Sequence, residues 1–166
     1  MQALLRFLVA AGALCGGAAY AADPSGCDKF KWPIDQAQAA LAAAAGPLAP
    51  GGTVTIDAAA RLKLVPFAEA KLALAPERPP KFSPSFAGAF ALAAPTAAGV
   101  YTATVSANGW LDIVQDGKFL KPIGFSAATD CPNVRKAIKF RLAATAATLQ
   151  LTGVGAEEIS VIVSPE

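Results

Sequence analysis

The sequence predicts one mainly β domain, an antiparallel β-sandwich or jelly roll with one helix near its N-terminus. Beyond residue 51, short runs of β-forming residues are separated by Gly, Pro and Asn at intervals of about ten residues, which is typical of such folds. Several runs alternate apolar and polar side chains, as strands do when one face is buried. One Ala-rich run before them has the composition of a helix. The length of 166 residues, without an internal repeat, suits a single domain.

The first residues have the features of a signal peptide. Arg6 supplies the basic region, residues 7–14 form an apolar stretch, and Ala19-Tyr20-Ala21 fits the small-x-small cleavage rule. We therefore expect residues 1–22 to be removed on export and residues 23–166 to form the mature domain. The expected location is periplasmic or secreted, with no membrane association after the leader is removed.

Cysteine usage predicts one disulfide. Cys15 would be lost with the leader, and lipid anchoring there is not expected, because Gly12 and Leu14 do not fit lipoprotein processing. Cys27 and Cys131 then remain in a compartment that oxidises thiols, so we expect them to be bridged. Two buried free thiols are the alternative.

The helix is predicted over residues 35–45. Asp35 can cap the first backbone N–H groups, the residues after it are strong helix formers, and Gly46 with Pro47 ends the run. The side expected to lie against a sheet consists of Ala37, Ala40, Leu41 and Ala44.

The strands follow the helix. They are predicted over residues 53–56, 61–65, 71–74, 87–93, 100–107, 110–115, 122–126, 134–143, 148–153 and 159–164. Residues 76–84 are expected to form a surface loop, because their prolines cannot donate to a ladder. Asn108-Gly109 is predicted to form a hairpin turn with positive φ at both residues. Alternation predicts the inward-facing residues Tyr101, Ala103, Val105, Ile138, Phe140, Leu142, Leu149 and Leu151.

Composition excludes several classes of function. The absence of histidine removes Ser–His and Cys–His centres, imidazole zinc sites and the two-His-one-carboxylate iron site. A formal net charge of +2 without a basic cluster opposes nucleic-acid binding. No phosphate-binding loop or dinucleotide fingerprint is present. We therefore expect a protein that is not an enzyme and uses no cofactor or metal.

Acidic residues offer weaker alternatives. The adjacent pair Glu157-Glu158 would point to opposite faces of a strand, and a solvated turn before the last strand accounts for both. Asp112 and Asp116 could hold calcium, but no loop with full oxygen-ligand spacing surrounds them. Asp112 is expected instead to be solvated or to pair across strands with Lys139 or Arg141.

The best candidate for a ligand surface is centred on a tryptophan. Alternation places Trp110 and Asp112 on one face of a strand, opposite Leu111 and Ile113. An outward Trp beside an acid is a common basis for sugar binding. The alternative is that Trp110 packs under the N-terminal helix. Trp32 is expected to anchor that helix to the sandwich.

A row of basic residues forms the second candidate surface. Arg135, Lys139 and Arg141 are expected to point outward from one strand, with Lys136 near its start. This row could meet an anionic partner. Alternatively, exposed bases protect an edge strand from aggregation.

Two segments carry a family resemblance. The sequences CDKFKWPI at 27–34 and CPNVRK at 131–136 resemble a group of small exported proteobacterial proteins of unknown function, some of which carry a homogentisate 1,2-dioxygenase label. That enzyme needs histidine ligands for iron, so the resemblance assigns no catalytic residue here. Residues 100–105 and 110–114 resemble the prepeptidase C-terminal type of β-sandwich, which accompanies secreted enzymes.

These observations favour an exported, non-catalytic binding or accessory module whose partner is an envelope protein or an envelope glycan. A structural envelope-maintenance protein without a small ligand is the second hypothesis, and an enzyme is the third. The predicted ligand surface consists of Trp110, Asp112, Arg135, Lys139 and Arg141.

Overall fold

Two mixed β-sheets of six strands each form a sandwich in the computed structural model, which describes residues 23–166. The predicted leader, residues 1–22 with Cys15, lies outside the described residues. One helix, α1, covers Asp35–Ala42, and single turns of 3₁₀ helix cover Cys27–Lys29 and Phe67–Glu69. The strands are β1 Ala45–Leu48, β2 Thr53–Val54, β3 Ala60–Lys63, β4 Val65–Pro66, β5 Phe86–Leu92, β6 Gly99–Val105, β7 Trp110–Gln115, β8 Lys118–Phe119, β9 Gly124–Ala127, β10 Lys136–Leu142, β11 Ala147–Val154 and β12 Glu158–Pro165.

The strand orders define the two layers. The first sheet has the order β1-β3-β12-β6-β10-β9, and the second has the order β2-β5-β11-β7-β8, with β4 also paired to β5. The pairs β1–β3 and β2–β5 are parallel, while the remaining ladders are antiparallel. The predicted sandwich with one N-terminal helix is therefore confirmed.

The core lies between the two sheets. Phe140 of the first sheet and Phe90 of the second are fully buried in one hydrophobic cluster. All the residues that were predicted to face inward are buried in this cluster: Tyr101, Ala103, Val105, Ile138, Phe140, Leu142, Leu149 and Leu151. Period-two alternation in the sequence thus identified the core face of β6, β10 and β11.

The N-terminal segment covers the outer face of the first sheet. Leu41 of α1 packs with Ile34, Val134 and Ile162 in a second buried cluster. A disulfide joins Cys27 to Cys131, with the two Cα atoms 4.8 Å apart, as predicted. This bond is consistent with an oxidising compartment. Within residues 23–166, no helix is long and apolar enough to cross a membrane.

The helix is shorter than predicted. It ends at Ala42 rather than at residue 45, because Ala45–Leu48 forms β1 and pairs in parallel with β3. The predicted cap is also wrong: Ile34 precedes the first turn, and no side chain caps the helix. Asp35 lies inside the first turn, where a negative charge interacts favourably with the helix dipole.

The connection at residues 106–109 is a crossing between sheets rather than the predicted hairpin. β6 belongs to the first sheet and β7 to the second, and neither Asn108 nor Gly109 has positive φ. A Cβ atom on Gly109 would lie 2.6 Å from Val154 Cγ2, so glycine is required here by close packing. The two-residue hairpin is instead Asp116-Gly117 between β7 and β8, where φ is 52° and 73°.

The predicted strand at 71–74 does not form. This segment belongs to a long connection between β4 and β5 that lies over the outer face of the second sheet. Its backbone bonds to the side chain of Gln150 rather than to a neighbouring strand. The proline-rich part that follows, residues 76–84, contains no strand, as expected.

Loss of the disulfide should lower the free energy of unfolding by about 4 kcal/mol, because the bridge restricts a long loop in the unfolded chain. Calorimetry should show that Cys27→Ser/Cys131→Ser melts roughly 10 °C below the wild type. Reductant should lower the wild-type melting temperature similarly and leave the variant unchanged. Two titratable thiols in the denatured, unreduced wild type would contradict the bridge.

Candidate functional site

Three of the four large exposed apolar side chains of residues 23–166 line two adjoining depressions. Trp110, Phe82, Ile123 and Phe125 are between 39% and 49% exposed. Trp110 and Phe125 line two adjoining depressions of about 310 and 370 Å³, together with Gly109 and Lys136. We call these depressions together the Trp110 groove. Soluble domains rarely group exposed apolar side chains in this way except at interaction sites.

The groove opens where the chain leaves one sheet for the other. β8 pairs with the C-terminal end of β7, and the Leu120 N–H donates to the Ile113 carbonyl at 2.8 Å. The next rung would place residue 122 opposite Leu111, but Pro122 has no N–H. The chain then enters β9 of the first sheet. Among the described residues, no strand therefore pairs with β7 at Leu111 on this side.

Gln150 fixes the connection that forms one wall of the groove. Its side chain is fully buried on the outer face of β11. The Ala73 and Leu74 N–H groups donate to its Oε1 at 2.9 and 3.2 Å, and its Nε2 donates to the Leu74 carbonyl at 3.0 Å. This amide thus satisfies the backbone as a neighbouring strand would, and it fixes the segment that leads to Glu77 and Arg78.

Two cations lie against the Trp110 ring. The Arg78 guanidinium carbon is 5.0 Å from the ring centroid, and the Lys136 Nζ is 5.7 Å from it, both within cation–π range. Lys136 Nζ also donates to the Gly109 carbonyl at 2.8 Å. In the described part of the chain, no ion pair includes Arg78, Lys136 or the nearby Lys81. The groove therefore carries cations that make no ion pair among the described residues, and the carboxylates of Glu77 and Asp112 line it as well.

Two titratable groups in the groove are held away from their ordinary pKa. Burial raises the pKa of Asp112, and the negative charge of Glu77 adds to the effect. Burial lowers the pKa of Lys136, with a smaller contribution from the positive charge of Arg135. Both groups are thus poorly solvated in their charged forms.

A buried hydroxyl completes the groove. Thr152 lies directly opposite Trp110 in the β7–β11 ladder and lines the same depression. Its Oγ1 is buried and has no hydrogen-bond partner among the described residues. Such an atom normally costs free energy unless a ligand or solvent molecule satisfies it.

The predicted pair Trp110 and Asp112 does lie together on the outer face of β7, opposite the buried Leu111 and Ile113. The alternative in which Trp110 packs under the helix is wrong, because α1 covers the other sheet. Pairing of Asp112 with Lys139 or Arg141 is also wrong, since these bases lie on the first sheet.

The predicted basic row does not form one surface. Arg135 pairs with Asp23 at 2.6 Å, while Lys139 pairs with Glu166 and lies 4.3 Å from the centroid of the Trp32 ring. Arg141 is exposed on the outer face. The edge-protection interpretation is wrong as well, because β10 lies between β6 and β9. As expected, Trp32 packs with the helix cluster and anchors it.

Sequence reasoning missed most of the groove. Lys136 has the same parity as Ile138 along β10, so strict alternation could have separated it from the outward row. Phe125 faces Ile138 across the ladder, on the edge strand β9. Arg78 and Phe82 lie in a connection without periodicity, and no signal in the sequence places them beside Trp110.

In residues 23–166, the other acidic residues considered in the sequence do not form a metal site. Glu157 and Glu158 are exposed around the start of β12, as the turn interpretation predicted. Asp116 lies in the β7–β8 turn. Within residues 23–166, no group of three or more His, Cys, Asp or Glu side chains could hold a metal ion.

Comparisons with known proteins identified no similar protein. No protein-family model matches the chain, and neither a curated protein nor a solved structure matches it.

Replacement of Gln150 by leucine should free the backbone segment at residues 73–74 that leads into one wall of the groove. Gln150→Leu leaves three backbone groups at residues 73–74 without partners, which should lower the free energy of unfolding by about 2–3 kcal/mol. In a Trp32→Phe background, acrylamide should then quench Trp110 more strongly. The matched control is Gln115→Leu, which removes bonds to Ala143 and Thr145. It should lower stability without changing the quenching; equal quenching in both variants would contradict this role.

Asp112→Asn should stabilise the protein at neutral pH. Because the folded state raises the pKa of Asp112, ionisation of this group opposes folding. That penalty is fully present above the folded-state pKa and absent below the unfolded-state pKa. Urea unfolding should therefore show a gain for the variant that disappears as the pH falls through these two values. A pH-independent difference would contradict this, and Glu77→Gln should lower the NMR-measured pKa of Asp112 only in part.

Proposed function

We propose that this protein is an exported, non-catalytic binding module of the cell envelope, and that its ligand occupies the Trp110 groove. The observation that carries the proposal is the exposed indole of Trp110, which lies among other exposed apolar side chains and two cations that make no ion pair among the described residues. Trp and Arg are among the side chains that contribute most at binding interfaces, and Phe is enriched there.

The N-terminal sequence and the disulfide support the assignment to the envelope. Residues 1–22 have the pattern of a secretory leader, and the Cys27–Cys131 bridge suits an oxidising compartment such as the periplasm. The partner is then an envelope protein or an envelope glycan. A glycan is favoured by one specific feature, the Trp110–Asp112 pair on one strand face, which offers an apolar platform and a polar group.

The energetics of the groove also support binding over a purely structural role. Asp112 and Lys136 are partly desolvated, and the Thr152 hydroxyl lacks a partner, so the site lowers the stability of the isolated fold. An enzyme activity of the dioxygenase type has no support in the residues, because the chain lacks the histidine ligands that such an iron site requires.

Trp110→Ala should strongly weaken ligand binding while the fold survives, because Trp110 is exposed and its removal leaves the core intact. Immobilised wild type, Trp110→Ala and Arg141→Ala would be incubated with separated protein and polysaccharide fractions of envelope extract. Ligands retained by the wild type should bind Trp110→Ala roughly 30-fold more weakly, the effect of losing a hot-spot Trp. Arg141→Ala, the control on the other sheet, should bind like the wild type.

Circular dichroism and the melting temperature would show that both variants remain folded. If every retained protein or glycan binds all three chains equally, the groove is not the binding site and the proposal fails.

A further inference from the structure

A further depression lies on the outer face of the first sheet and shares no residue with the Trp110 groove. Its volume is about 540 Å³, and it lies between the first turn of α1 and the neighbouring strands β6 and β12. Trp32 and Pro33 contribute apolar surface to it. The sheet contributes three hydroxyl side chains, those of Thr102, Thr104 and Ser164. We call this depression the Trp32 pocket.

Thr104 directs an unpaired hydroxyl into the pocket. Its neighbours Ala103 and Val105 face the core, so alternation places the Thr104 side chain on the outer face of the sheet. Only 2% of the residue is exposed, and that part lines the pocket. Within residues 23–166, its hydroxyl makes no hydrogen bond. A hydroxyl this deeply buried is normally paired, and here a partner can reach it only through the pocket.

The first turn of α1 adds unpaired donors beside this hydroxyl. Residues 34–37 line the pocket. The first backbone bond inside the helix is donated by the Gln38 N–H to the Ile34 carbonyl at 2.8 Å, and no side chain caps the helix. The N–H groups of residues 35–37 therefore have no partner in the described part of the chain. Donors and a hydroxyl thus lie together at one place.

The charges around the pocket are balanced. The Glu166 carboxylate accepts from Lys139 and, at 2.8 Å, from the Thr102 hydroxyl. The Asp35 carboxylate lies in the first turn of α1, where the positive end of the helix dipole offsets it. An anion would meet these two carboxylates, and a cation would meet the start of the helix and the nearby Lys139. The pocket therefore suits a neutral ligand.

The hydroxyl groups of a sugar match this set of polar groups. Each hydroxyl can donate one hydrogen bond and accept others, so one ligand can accept from the N–H groups of the helix and donate to a carboxylate. The C–H groups of a sugar ring offer apolar surface to Trp32. A purely apolar ligand would leave the donors and the Thr104 hydroxyl unpaired, which costs free energy.

We propose that the Trp32 pocket binds a neutral sugar residue of a glycan. The hydroxyls of Thr104 and Ser164 and the first turn of α1 hold the hydroxyl groups of the sugar, while Trp32 contacts its ring. This is a second binding site, on the opposite sheet from Trp110, and it stands independently of what occupies the Trp110 groove.

NMR spectroscopy of the disulfide-bonded protein tests the site, because the two tryptophans of the chain lie in the two separate sites. Trp32→Phe would assign the two indole N–H signals. The probes are maltohexaose, cellohexaose and the hexamer of N-acetylglucosamine, each added to roughly 10 mM, which detects millimolar affinity. At least one probe should shift the signals of the Trp32 indole and of the Gln36 and Ala37 amides in a saturable manner. If no probe does so, the inference fails.

Two matched variants separate this pocket from the groove. Thr104→Val and Thr152→Val each replace a hydroxyl without a partner by a methyl group, and both residues are 2% exposed. Thr104→Val should weaken binding of the probe roughly fivefold, the effect of losing one hydrogen bond, and Thr152→Val should leave it unchanged. Circular dichroism would show that both variants are folded. An unchanged affinity in Thr104→Val, or a loss in Thr152→Val, would overturn the site.

Charged probes test the class of ligand. The deacetylated hexamer of glucosamine is cationic, and the hexamer of galacturonic acid is anionic. Both should shift the Trp32 signal less than the best neutral probe at equal concentration, and tighter binding of either one would overturn the assignment to a neutral sugar. In Trp110→Ala, the shifts at Trp32 should persist. Their loss would show that the two sites are not separate and would also overturn the inference.

Discussion

The hydrogen-bond ladder between β7 and the returning chain stops before Pro122, and the Trp110 groove lies where it stops. Up to Leu120 the returning chain pairs with β7, and beyond residue 122 it pairs with β10 in the other sheet. A residue with an N–H could extend the ladder to Leu111 and close the edge. Pro122 cannot donate to the Leu111 carbonyl, and the chain here enters β9 of the first sheet, where Phe125 is partly exposed on the edge strand. The Trp110 groove thus lies where this ladder stops and the chain crosses to the other sheet.

The other surfaces of the sandwich are covered by two different means. A covalent bond, Cys27–Cys131, holds the N-terminal segment and α1 on the first sheet, where an apolar cluster has formed beneath them. On the second sheet, the cover is held by the buried amide of Gln150, which replaces a missing strand. A disulfide persists until it is reduced, whereas an amide–backbone cluster contributes most while water is excluded from it. The wall of the groove is therefore held by hydrogen bonds alone, without a covalent bond.

Structural features were predicted well where the sequence carries a local or periodic signal, and poorly where they depend on contacts between distant residues. Alternation revealed the buried faces of β6, β10 and β11, and the compartment argument predicted the disulfide. The prediction of a hairpin at Asn108-Gly109 was wrong, because the same dipeptide also suits a connection that crosses between the two sheets. Only the pairing of distant strands distinguishes the two cases. The role of Gln150 could not be predicted from the sequence, since its hydrogen-bond partners are backbone groups far away in sequence. Within the site, Trp110 and Asp112 were predicted together, but Arg78 and Phe82 come from a connection without periodicity. Phe125 and Lys136 come from strands of the other sheet, and only the pairing of distant strands brings them near Trp110.

The placement of unfavourable features in the structure argues for a selected site. A fold that only needed stability would not bury an acid beside another acid, a lysine without a counter-ion and an unpaired hydroxyl around one exposed indole. Asp112, Lys136 and Thr152 contribute one such feature each, and all of them line the same groove as Trp110. Among residues 23–166, the other buried polar side-chain atom without a partner is Trp32 Nε1, which lies under the disulfide-held cover. A ligand that offers hydrogen-bond partners to these groups would offset the free energy that their burial costs the fold, which is why their position around Trp110 is informative.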